Sequence, residues 1–172
     1  FDLVMQRFVD AWMAFPGLLL LLTVMSIVGQ GLLQIILILG ITGGIGGSRV
    51  VRGAVIGVKE NDYFLAARAV GTPTTQILIR HVLPNIMAPL IIVFSINIGG
   101  VIIAEASLSF LGVGIPRPTP AWGVMVAEGR EYVVTAWWIS FFPGMAILLS
   151  VLSLNLLGDW LRDRLDPRLQ NL

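Results

Sequence analysis

Few residues in this chain could do covalent chemistry. Among 172 residues there is one histidine, His81, and no cysteine. Zero cysteines exclude a thiolate nucleophile, a zinc ribbon and a disulfide framework. A single histidine excludes a His-rich metal site, and no Ser/His/Asp arrangement can be built around an imidazole set in a polar loop. The glycine cluster Gly43-Gly44-Ile45-Gly46-Gly47 lacks the lysine of a phosphate-binding loop and lies in an apolar run. The expectation is no catalytic residue, no metal ligand and no cofactor held by the chain itself. Two kinds of candidate are left. Asn97 and Glu105 are polar groups in or beside an otherwise apolar stretch, and residues 59–84 form a loop of small, helix-prone segments.

The elements that position these groups follow from composition. Hydrophobic residues make up 56% and charged residues 12%, against about 25% charged in soluble domains. Mean hydropathy is +0.90. One soluble core could not hide so much apolar surface, so an integral membrane protein is expected. Disorder is excluded by the same numbers. A net charge of +1 offers no field for nucleic acid.

Positions 11 to 48 carry no charge, a run of 38. A bilayer core takes about 20 apolar residues per helix, so this run holds two spans, broken at Gly29-Gln30-Gly31. The expected spans are about 11–28, 32–51, 85–104 and 138–158, with an external segment at 105–135. Basic residues give the topology. Residues 49–81 contain five Lys/Arg, the tail after 158 has three, segment 105–131 has two and the 29–31 turn has none. Lys and Arg accumulate on the cytoplasmic side. The 59–84 loop and the C-terminus are therefore expected in the cytoplasm. Trp138 and Trp160 lie 22 residues apart, about 33 Å of helix, which suits two interfacial anchors. The chain opens just before a span without an initiator methionine, so an N-terminally incomplete chain is expected.

Within the spans, Gly40/Gly44 and Gly43/Gly47 have the spacing that lets helix backbones approach closely. They read either as bundle packing or as a flexible segment beside a pathway. Asn97 followed by Gly99-Gly100 invites either a broken helix or a kink with Asn97 bonded to a neighbouring helix. In the loop, Asn61 or Asp62 can N-cap a helix over 63–70, Gly71 suits the C′ position, and Pro73 suits N1 of a second helix. Pro84 then begins the next element. The pair looks like a helix-turn-helix, but apolar spans flank it closely on both sides. A docking element is the better reading, with small Ala66, Ala67 and Gly71 letting a partner's cleft close on the backbone.

The segment Ala66-Ala67-Arg68-Ala69-Val70-Gly71, nine further residues and His81-Val82-Leu83-Pro84-Asn85 resembles the EAA loop. That loop marks membrane subunits of binding-protein-dependent ABC importers. Ala104 to Gly112, Pro118-Thr119-Pro120-Ala121-Trp122-Gly123 and Phe142-Pro143-Gly144 resemble signatures of the dipeptide, oligopeptide and nickel branch. So does Phe15-Pro16-Gly17. The tail Asn155 to Asp163 with Leu165-Asp166-Pro167-Arg168 resembles its C-type subunit.

The resemblance implies an all-α integral membrane fold of the type I importer permease, with four transmembrane helices plus cytoplasmic coupling helices and two N-terminal spans missing. It implies a lipid-embedded chain in a bacterial or archaeal cell membrane. Its implied partners are a B-type permease, two cytoplasmic ATPase subunits that use ATP, and an external substrate-binding protein. It assigns ATPase coupling to Ala66, Ala67, Gly71, His81, Leu83 and Pro84. Asn97 and Glu105 stay pathway candidates. The implied cargo is a peptide or nickel. Two positions depart from the family: Leu65 stands where Glu is usual, and Gly43-Gly44 replaces a Trp-Pro pair. An ATPase-independent transporter or channel fragment, or a structural membrane subunit, are the alternatives.

Overall fold

The computed structural model describes residues 2–165, and these are helical with connecting turns. Helix α1 covers Asp2–Met13, α2 Gly17–Val28 and α3 Leu32–Lys59. Two short helices, α4 (Asp62–Ala69) and α5 (Thr74–Ile77), follow. A π-helical turn over Leu78–Val82 leads into α6 (Leu83–Phe110). Then come α7 (Trp122–Gly129), a 3₁₀ turn over Arg130–Tyr132 and α8 (Trp138–Leu165). Asp166-Pro167-Arg168 lie outside the described residues.

Three helical stretches are long and apolar enough to cross a membrane: Leu32–Lys59, Thr74–Phe110 and Trp138–Arg164. Each exceeds the roughly 20 residues that a hydrocarbon core requires. The stretch expected as a first span, 11–28, is not one straight helix. It divides at 14–16, and α1 and α2 are bent by 89°. Pro16 supplies the reason. Its ring disfavours helical geometry at Phe15, and it has no N–H to continue the ladder. α2 then restarts, with the Leu20 N–H donating to the Pro16 carbonyl at 3.1 Å. Ion pairs from Asp10 to Arg49 and from Asp2 to Arg52 tie α1 to α3. They supply counter-charges for two arginines in the second half of a long helix.

Two apolar clusters organise the chain. At one end, Leu21 and Met25 of α2 pack with Ile35, Ile38 and Leu39 of α3 and with Leu108 of α6. Gln30, in the α2–α3 turn, donates to the Gly112 carbonyl at 2.6 Å and ties that turn to the end of α6. At the other end, Val58, Phe64, Ile77, Val82 and Ile86 form the second cluster. Between the two, Gly40, Gly43, Gly44, Gly46 and Gly47 meet no other part of the chain where a Cβ would stand. Their spacing is therefore not used for packing among the described residues.

Close helix approach occurs instead between α6 and α8, which run antiparallel. A Cβ on Gly99 would lie 2.9 Å from Asn155 Oδ1 and 3.2 Å from a Val151 methyl, and Gly158 sits against Ile96 and Ser95. Small residues at these crossings bring the backbones together. α7 folds back against both helices. Gly123 abuts the Ala106 backbone and Gly129 abuts Ser140, whose hydroxyl donates to the Val126 carbonyl at 3.1 Å. The segment 111–137 thus covers the ends of α6 and α8 rather than hanging free.

Candidate functional site

The loop between α3 and α6 is a built unit. α3 ends at Lys59, and the Asn61 side-chain amide donates back to the carbonyls of Gly57 and Val58 at 3.0 and 3.3 Å. Asn61 stands at the N-cap position of α4, yet its side chain does not cap that helix. It closes α3 instead, which corrects the expected N-capping role and fixes the angle at which α4 leaves.

α4 ends in a Schellman turn. The Thr72 N–H reaches the Ala67 carbonyl at 3.1 Å and the Gly71 N–H reaches the Arg68 carbonyl at 3.0 Å. Gly71 has φ +77°, the left-handed conformation that the C′ position requires. Pro73 occupies the N-cap of α5, one place earlier than expected, and its carbonyl accepts from the Gln76 and Ile77 N–H groups. Replacing Gly71 by Val places a β-branched residue at positive φ, a cost of about 1–3 kcal/mol. Gly71→Val is expected to leave the long apolar helices in place while protease cleavage near residues 60–75 accelerates; cleavage at the wild-type rate would show the turn to be dispensable.

Phe64 anchors the unit. It is buried on the inner face of α4, against Val58 of α3, Ile77 of α5, Val82 of the π turn and Ile86 of α6. The opposite face is bare. Leu65 is 54% and Val70 81% exposed, and Ala66 and Gly71 beside them are exposed too. Ala67 is half-buried against the cluster. The surface therefore combines small residues with two uncovered apolar side chains on a base held from beneath.

His81, Leu83 and Pro84 lie beyond α5. The expected second helix is present as α5 but is not separate: α5, the π turn and α6 form one helical stretch from Thr74 to Phe110. His81 is half-buried, and its ring lies 6.1 Å from that of Tyr63, tilted by 38°. That contact joins the start of α4 to the π turn. Leu83 and Pro84 are exposed on the helix that enters the membrane. The candidates from Ala66 to Pro84 thus form one continuous unit around Phe64, although Phe64 itself was not expected to carry it. An aromatic residue flanked by the exposed Tyr63 and Leu65 on a short helix is the signal for such an anchor.

The chain matches the model of the binding-protein-dependent transport system inner membrane component over residues 1–171. It belongs to that family. It is 45% identical to a putative peptide transport system permease protein of Brucella suis biovar 1, over 99% of this chain and 57% of the relative. It is 42% identical to a di/tripeptide transport system permease protein of Pseudomonas aeruginosa, over 98% of this chain and 55% of the relative. Identity is 41% to the glutathione transport system permease protein GsiD of Shigella flexneri, over 98% of this chain and 56% of the relative. The chain thus spans a little over half the length of these relatives. Family membership and the long apolar helices make it a multi-pass membrane permease component.

The other pair of candidates in this permease chain, Asn97 and Glu105, is not brought together. They stand eight residues apart on α6, about 12 Å along the axis. The helix is unbroken at Asn97, whose amide donates to the Val93 carbonyl one turn back at 2.7 Å. This corrects both expectations, the broken helix and the bond to a neighbouring helix. Glu105 lies inside α6, where its Oε1 accepts from the Ser109 hydroxyl at 2.6 Å. Ser109 Oγ in turn accepts from the Ile115 N–H at 3.2 Å. Glu105 therefore braces the loop leaving α6, and also lines a cavity of about 370 Å³ with Trp122 and Met125.

Proposed function

We propose that this chain is part of the translocation pathway of an ATP-driven peptide importer. Its α4–α5 unit takes the stroke from a cytoplasmic ATPase. The observation that supports this reading best is the α4–α5 unit itself. It offers small residues and bare Leu65 and Val70 outward, is anchored inward through Phe64, and continues without interruption into a membrane-length helix. A push on such a surface is passed to α6 through Phe64, which packs with Ile86 of that helix. Leu65 makes the dock more apolar than the glutamate usual in the family would, so the matching ATPase cleft is expected to be apolar at that point.

On this reading the 59–84 loop and the C-terminus are cytoplasmic, and segment 105–135 faces outward. A second, B-type permease completes the pathway, two ATPase subunits hydrolyse ATP, and an external binding protein delivers cargo. Peptide is favoured over nickel because these relatives are named for peptide, di/tripeptide and glutathione transport. Uptake of labelled di- and tripeptides by proteoliposomes holding the complete transporter tests the proposal. Uptake should need ATP inside the cytoplasmic compartment and the binding protein outside. Equal uptake without ATP would place the chain in an ATPase-independent carrier.

A further inference from the structure

α5 and α6 share one helical stretch, yet two prolines stand inside it, Pro84 beside the π turn and Pro89 further along α6. In a regular α-helix Pro84 would lack the N–H that bonds the Arg80 carbonyl, and its ring would collide with that carbonyl. Next to Pro84 the helix is widened, whereas around Pro89 it stays α-helical. Over Leu78–Val82 it takes a π turn, and the Leu83 N–H reaches back five residues to the Leu78 carbonyl. The Asn85 side-chain amide donates to the His81 carbonyl at 2.7 Å, closing a bond on the same turn. A π turn accommodates about one residue more than an α turn, and such bulges gather at functional sites.

That extra residue sets which way the loop unit faces. Removing it without shortening the chain would rotate α5 about 100° around the axis of α6. Ile77 would then leave the cluster it shares with Phe64 and Ile86. We propose that Pro84 is a positioning residue. It enforces the π turn, and the turn fixes the rotational register between the α4–α5 unit and α6. The role in transport rests on the coupling function proposed above; the register itself does not.

These 172 residues contain no cysteine, so the two label sites are the only thiols within them. One label goes on Ala66 and one on Ala88 of the complete, membrane-inserted protein. Three variants are compared with wild type by pulsed electron paramagnetic resonance and by ATP-driven peptide uptake: Pro84→Ala, deletion of Ile79, and both together. Pro84→Ala should shift the label distance by several ångströms and lower uptake, because the turn is free to close as α-helix with one residue too many. Deletion of Ile79 alone should also shift the distance. The double variant should restore the wild-type distance and recover uptake, since an α turn then holds the right number of residues. An unchanged distance in Pro84→Ala, or a double variant worse than either single one, would overturn the proposal. A restored distance without ATP dependence of uptake in any variant would leave the register role standing and sink the coupling function instead.

Discussion

Phe64→Ala should uncouple the protein while leaving it in the membrane. The side chain is buried among residues from α3, α5, the π turn and α6. Truncating a buried phenylalanine costs about 3–5 kcal/mol. α4 has only eight residues, too few to stand as a helix without tertiary support. Losing its one buried anchor should therefore melt the loop unit locally rather than the whole chain. The long helices α3, α6 and α8 do not depend on it for insertion, because their apolar length suffices. The expected outcome is normal membrane yield, rapid proteolytic cleavage near residues 60–75, and transport reduced to background. Phe64→Leu, which keeps most of the volume, should retain most transport. Protease resistance equal to wild type in Phe64→Ala would show that the loop is held by something other than this cluster.

Gly123→Val should expel α7 from its seat. A Cβ there would occupy the space of the Ala106 backbone, and a backbone cannot move aside as a flexible side chain can. Overpacking typically costs about 1–3 kcal/mol even where neighbours can yield. α7 is tied between α6 and α8 by that approach, by Gly129 against Ser140, and by the Ser140–Val126 hydrogen bond. Displacing it should expose Trp122 further and open the ends of α6 and α8. Cysteines placed at Met125 and Val126 should label faster with a membrane-impermeant maleimide in Gly123→Val than in the parent, and transport should fall strongly. Gly123→Ala, which already carries the offending Cβ, should show the same change more weakly. Unaltered labelling in both variants would mean that α7 does not rest on Ala106.

The three long apolar helices were legible from composition and from charge-free runs alone, because membrane depth demands little beyond length and hydropathy. The turn at Gly71 was legible too: only glycine tolerates its φ, and Ala-rich helix precedes it. Other features depended on three-dimensional accounting. The break at Pro16 was hidden inside a run read only for lack of charge, although Phe15-Pro16-Gly17 is a stop-and-restart signal. Asn61 offered a side chain to two helices, and geometry chose the earlier one. Pro84 was legible as a first-turn residue of α6, where proline is welcome, but the link back to α5 was not. A π turn lets the same residue sit within one continuous stretch. At Asn97 the nearest carbonyl on its own helix took the amide. Glu105 proved to be half of a local brace with Ser109, a residue whose burial no periodicity announced.

Coupling through α4 requires that its exposed face meet an ATPase. One cysteine at Ala66, in the complete assembled protein with any other cysteine replaced, gives the most direct reading. ATPase subunits from the same source carry single cysteines beside their nucleotide-binding cleft. A disulfide cross-link that forms in membranes and changes in yield between ATP-bound and nucleotide-free states is the predicted result. The absence of any cross-link across a panel of cleft positions, with the ATPase present and the chain inserted, would contradict it.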